Sequence, residues 1–330
     1  MKVSEVRELL KTYTTEEMKY LIVELYKSIP KGMREDKGID QLVKDPHPQP
    51  KKKEKDITDP EVLKALFTEI EDFIGNAYAH NYIAPNRVVP KSERPKWRFK
   101  VKNYIKQLNQ LPPCHPIGHQ ATLALCDLYE MLCHACSYYL FNSDDPFNSI
   151  GSLQSDMFQQ VLSRLFAYDR SPETLHKAIK MATKDDLDAN TVNEELLFIL
   201  INLLQESIDI EMALSIAKEE YLKITQNMKK VKKHNITYSM RNVAKVYCNL
   251  ICMLHIRRGD DQEAVQYYKQ EMKEIGEDTV YDFLNILYWF DKIDLFKQEY
   301  EDAKRTGKRL SYSQEQLYAY VKAHGEWPNP

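Results

Sequence analysis

Apolar residues recur every three or four positions through most of this 330-residue chain, the spacing of one face of an α-helix. Val3, Val6, Leu9 and Leu10 mark a short helix over 3–12, and Met18, Leu21, Ile22, Leu25 and Tyr26 mark a second over 15–29. Thr14 or Thr15 suits the N-cap of the second helix, Glu16 and Glu17 suit its first turn, and Pro30 and Gly32 stop it. Residues 31–58 carry three prolines, a lysine cluster and few apolar anchors, and read as a linker or loosely docked segment.

Helical spacing returns over 59–79, with Asp59-Pro60 as cap and first residue, and Val62, Leu63, Leu66, Phe67, Ile70, Phe73 and Ile74 as its stripe. Three prolines make 81–95 irregular. Lys96 to Lys102 alternates with period two. Its apolar positions continue through Tyr104, Ile105 and Leu108 at helical spacing, which favours helix over strand. A long helix is expected over 117–141. Beyond it the pattern divides into hairpins: 153–167 with 172–183, 191–205 with 209–225, 239–257 with 261–274, and 278–290 with 293–305. A last helix is expected near 313–323. These divisions give four regions: an amino-terminal hairpin over 1–30, a linker over 31–58, a helical region over 59–150 and a hairpin array over 151–330.

The stretch Asn242 to Glu274 carries the clearest hairpin. Ile251 and Cys252 supply a large and a small residue on the first helix, Gly259-Asp260 makes the turn, and Ala264 and Tyr268 supply a small and an aromatic residue on the second. This segment resembles a tetratricopeptide repeat. Glu271 stands where that family places a small residue, and the segments around Glu206–Ala213 and Asp291–Phe296 are more degenerate. The resemblance implies an all-α fold, with helical hairpins stacked as a short tetratricopeptide-like α-solenoid after a helical amino-terminal region. It further implies a surface that binds a protein or peptide partner. An irregular helical bundle is the alternative packing. The Val3 to Leu10 segment has a fainter resemblance to the SAP motif of nucleic-acid-binding proteins, but Thr14-Thr15-Glu16-Glu17 stands where that motif has Gly-Lys.

Charge adds one local feature. The chain as a whole has net charge −3, yet residues 86–106 hold eight Lys or Arg and one Glu. Arg87, Lys91, Arg94, Lys96, Arg98, Lys100 and Lys102 are candidate contacts for a polyanion or an acidic protein surface, with Trp97 interleaved as a stacking residue. A solvated basic helix with Trp97 in the core is the plainer reading. Arg94, Lys96, Trp97 and Arg98 form the best candidate contact patch for a protein partner, and nucleic acid is the first alternative.

Enzyme signatures are sparse. Only nine glycines occur, and no phosphate-cradling loop, GxSxG elbow or HExxH is present. Arg170 and His176 have the Arg-x5-His spacing of helical HEPN ribonucleases, which is a second alternative, although Ser171-Pro172 also reads as a cap and first helical residue. Cys126, Cys133, Cys136, His115 and His119 cluster in sequence. Residues seven apart on one helix are separated by about 10 Å, too far to share one ion, so buried free thiols are the simpler reading and no metal or cofactor is expected. The amino terminus lacks an uninterrupted apolar core, and no apolar run reaches about eighteen residues. The expectation is a non-enzymatic cytoplasmic binding protein with reduced thiols.

Overall fold

The computed structural model describes residues 3–36, 39–44, 59–232, 235–276 and 280–328. The fold is all-α, and no strand occurs among the described residues. None of the described helices is long and apolar enough to cross a membrane. The chain divides into two units, Met1–Ile57 and Thr58–Pro330.

The first unit holds α1 (Val3–Leu10), α2 (Thr15–Ser28), α3 (Lys31–Asp36) and α4 (Ile39–Lys44). Thr14 and Glu17 form a capping box: Glu17 accepts from the Thr14 N–H at 2.7 Å, and Thr14 Oγ1 accepts from the Glu17 N–H at 3.3 Å. The expected linker is thus helical over much of 31–44, where α3 packs on α4 and Tyr26 donates to Asp40 at 2.8 Å. Lys51, Lys52 and Lys53 lie outside the described residues.

The second unit begins with α5 (Pro60–Tyr78), α6 (Trp97–Asn109), α7 (Pro116–Ser137) and the short α8 (Pro146–Ser149). Four hairpins follow: α9 (Gln154–Tyr168) with α10 (Pro172–Ala182), α11 (Asn193–Leu203) with α12 (Ser207–Lys230), α13 (Tyr238–Arg258) with α14 (Asp261–Ile275), and α15 (Val280–Trp289) with α16 (Ile293–Arg305). The last helix is α17 (Tyr312–His324). The segment after η-turn Arg94–Lys96 is helix, as the longer stripe implied.

Helix starts follow local chemistry. Pro60, Pro116, Pro146 and Pro172 occupy first-turn positions where no N–H is needed. Asp59 and Ser171 cap the N–H groups of Glu61 and Thr174. Gly259 ends α13 at φ +93°, and the Asp260 N–H then reaches back to the His255 carbonyl at 3.0 Å. Ala264 is fully buried against α13, and Tyr268 stacks on Phe283 with ring centres 4.5 Å apart.

Within this unit α7, α9, α11 and α13 lie side by side in one layer, and α10 packs on α12 in a second. Residue 150 lies inside the second unit, where α7 packs directly on α9. The expected helix over 117–141 ends early, at Ser137, and Leu140 and Phe141 turn into the core. One cation helps hold the start of α7. Buried Arg164 on α9 donates to the carbonyl of Leu111 at 2.8 Å and of Leu108 at 3.3 Å, and to Thr122 Oγ1 at 3.2 Å. It thereby ties α9 to backbone carbonyls at and just beyond the end of α6.

Candidate interaction surface

The basic segment is largely occupied with its own fold. Trp97 is 4% exposed and stacks on Phe141 with ring centres 4.1 Å apart. Phe73, Tyr82 and Tyr104 complete that aromatic core. Trp97 therefore leaves the candidate contact set: a ring buried between helices has no face for a base or a partner. Arg94 pins the preceding loop, donating to the carbonyls of Val89 at 3.0 Å and Asn86 at 3.3 Å. Lys96 pairs with Glu93 at 3.1 Å, and Lys100 lies 3.9 Å from Glu69. Arg87, Lys91, Arg98 and Lys102 remain exposed, and no carboxylate among the described residues lies within ion-pair distance of them. Arg98, Lys102 and Lys106 follow one another at i, i+4 and i+8 on the outer face of α6, beside exposed Phe99. The Arg98 guanidinium covers the Phe99 ring at 5.1 Å.

The ribonuclease-like pair does not converge. Arg170 binds buried Asp209 and the Leu203 carbonyl at 3.3 Å, tying the turn between α9 and α10 to the end of α11 and the start of α12. His176 faces Glu220 at 3.4 Å. The two side chains serve different contacts between elements. The cysteines of α7 are likewise structural in setting. Burial pushes the thiols of Cys126, Cys133 and Cys136 up to about 12, so each stays protonated and a poor nucleophile or ligand at neutral pH. Among the described residues, His255, Asp260 and Glu263 bring one imidazole and two carboxylates together. Arg258 already engages both carboxylates there, and its Nη2 lies 3.4 Å from His255 Nδ1.

Sequence reasoning missed a channel between α5 and α7. These helices run in the same direction, and α6 also packs against α7. At one end Pro60, Leu63 and Phe67 of α5 face Ile117 and Gln120 of α7 around a cavity of about 410 Å³. Further along, Phe67, Ile70 and Ile74 face Gln120, Leu123 and Ala124 around a cavity of about 280 Å³. The two share Phe67, Glu71 and Gln120, so they adjoin along the same pair of helices. Beyond Ile74, Tyr78 of α5 meets His134 of α7 at 5.4 Å, and His134 stacks on Tyr138 at 4.3 Å. From Ile117 to His134, α7 rises about 25 Å, and the two depressions occupy its first part, up to Asp127.

Its rim is acidic. Glu71 and Asp127 line opposite walls, on α5 and α7. Neither makes an ion pair within the described residues. Burial pushes the Asp127 carboxyl up; Lys177 pulls it back, and Glu130 and Glu71 push it further. At the aromatic end Asp186 lies 3.8 Å from His134, and Glu130 is bound by Lys184. The signal was present in the sequence as the half-buried positions of two stripes, but nothing in the sequence says that these stripes face each other.

A second cavity, about 440 Å³, lies among α14, α15 and α16 and is lined by Tyr268, Met272, Phe283 and Ala303. Lys269 reaches Glu299 at 2.7 Å within it. No family model, curated protein or solved structure matches this chain.

Proposed function

We propose that this chain is a non-enzymatic binding protein that takes a segment of a protein or peptide partner into the channel between α5 and α7. One observation carries the reading: a half-buried apolar strip, Phe67, Ile74, Leu123 and Ala124, with exposed Ile117 at one end, lies between two helices over buried Leu63 and Ile70. A partly open apolar furrow rimmed by polar residues is a common mark of a binding surface. The tetratricopeptide-like character of the hairpins suits the same role, because stacked helices hold such a channel rigid. The partner seat thereby moves from Arg94, Lys96, Trp97 and Arg98 to α5 and α7.

The test is selection of a displayed random-peptide library on the full chain and on Leu123→Asp, with circular dichroism confirming that the variant is folded. Peptides enriched on the natural chain and lost on the variant support the reading. Peptides that bind both equally defeat it.

A second reading has its own observation, the row Arg98, Lys102 and Lys106 beside exposed Phe99. Such a face suits a single-stranded nucleic acid, with phosphates on the cations and a base on the ring. Binding of single-stranded RNA should then weaken steeply with salt and vanish when all three cations become Glu. Binding that ignores both changes excludes it.

A further inference from the structure

We propose that the channel's occupant is an amphipathic, basic α-helix carrying two cationic side chains seven residues apart. The inference rests on the channel being a peptide seat, and it names what sits there. Three features of the walls select this partner.

The first is shape. The floor residues recur on α5 at 60, 63, 67, 70 and 74, and on α7 at 117, 120, 123, 124 and 127. Those are the ridges of two helices lying side by side in the same direction. A third helix fits its own i, i+3, i+4 and i+7 side chains into the furrow between them. The neighbouring helices α7, α9, α11 and α13 already pack on one another in succession, and a ligand helix would add one more.

The second is charge. Glu71 and Asp127 line the second depression from opposite walls, with no ion-pair partner among the described residues. Their mutual repulsion contributes to the raised Asp127 carboxyl. A cation between them relieves that repulsion. The local cations do not fill the place. Lys184 is committed to Glu130, Lys64 sits at the Pro60 end, and Lys177 acts on Asp127 only through longer-range attraction.

The third is the far end. Tyr78, His134 and Tyr138 present a cluster of rings beside Asp186, and Tyr78 and Tyr138 are exposed. Aromatic faces next to a carboxylate hold a guanidinium or ammonium group. Along α5 the step from Glu71 to Tyr78 is seven residues, and along α7 the step from Asp127 to His134 is also seven. Both walls therefore place the two cation seats about 10 Å apart, which is seven residues of a bound helix.

The experiment uses a synthetic, fluorescently labelled helix-forming peptide of about 18 residues, long enough to span the channel. It carries a leucine stripe and two Arg seven residues apart. Controls replace the Arg pair by Glu, or move the two Arg to opposite faces. Anisotropy is measured on the full chain and on Glu71→Gln/Asp127→Asn, Tyr138→Ala and Leu123→Asp. The expected result is saturable binding of the Arg peptide alone, weakened about tenfold by the double carboxamide variant and further by Leu123→Asp. If the Arg and Glu peptides bind alike, and the double variant changes nothing while Leu123→Asp still abolishes binding, the channel stands and the basic-helix assignment falls. If neither peptide binds and Leu123→Asp has no effect on any selected peptide, both fall. Concentration-dependent dimerisation of the chain that Leu123→Asp removes, seen by analytical ultracentrifugation, would make the channel a contact between two copies and overturn the assignment.

Discussion

Two residues show how much a single side chain can decide here. Gly118 lies in the first turn of α7, where an added Cβ would stand 1.7 Å from the Pro112 carbonyl oxygen. That approach is between backbones, so no side-chain movement relieves it. Gly118→Ala should cost about 3 kcal/mol by overpacking, read as a lowered urea midpoint with an unchanged slope. His255 is the second. It is fully buried, and its Nε2 has no hydrogen-bond partner. Burial holds its pKa below the ordinary value, with Lys218 and Arg258 acting the same way and Glu263 and Asp260 opposing them; Tyr267 packs nearby. The folded state thus prefers the neutral ring while the unfolded chain binds the proton more readily. Stability should fall as pH drops through the unfolded value, near 6.5, and stop falling below the folded one. A melting-temperature series between pH 7.5 and 5 reads this, and His255→Gln should flatten that part of the curve. A slope that survives the substitution would assign it to other groups.

At the scale of elements, α6 and α13 show two ways in which a helix is used. In α6, Trp97, Val101, Tyr104 and Leu108 are buried while Arg98, Phe99 and Lys102 face out, a one-sided stripe that the spacing of residues already implied. Truncating Trp97 to Ala should cost about 3–5 kcal/mol, whereas Arg98→Glu or Lys102→Glu should stay within about 0.5 kcal/mol. Equal effects on stability from Trp97→Ala and Arg98→Glu would contradict the observed orientation. Helix α13 is different: Val246 to Ile256 is buried without a break, because α11, α12 and α14 all pack on it. The sequence carried that in the run VYCNLICMLHI, apolar all round apart from Asn249 and His255. Asn249 is held by Glu194 at 2.9 Å, a partner from another hairpin that local spacing could not identify.

Across the second unit, the layer of α7, α9, α11 and α13 is the mechanical centre. Protection from hydrogen exchange should be greatest in α7 and α13, whose central residues are buried, and least in α17, where Gln314 and Val321 alone are buried. Exchange measured by mass spectrometry on the full chain checks this ordering, and α17 protected as strongly as α13 would contradict it. The same packing explains why the candidate surface moved. A run of cations looked like a binding patch because composition records charge without its partners. Once folded, Arg94 closes a loop and Lys96 and Lys100 meet carboxylates.

The helices themselves were set by local information. Apolar residues at 3.6-residue spacing, prolines at Pro60, Pro116 and Pro172, and a left-handed glycine at Gly259 determine starts, stops and faces within a few residues of chain. The all-α class and the succession of hairpins follow from these alone. The channel does not. Its walls, α5 and α7, are separated in sequence by a loop and the whole of α6, and only packing brings Glu71 opposite Asp127 and Tyr78 against His134. Likewise, whether a charged side chain is free or already paired depends on distances between elements remote in sequence. Spacing along the chain reports which face a residue is on; what that face meets is decided by the tertiary fold.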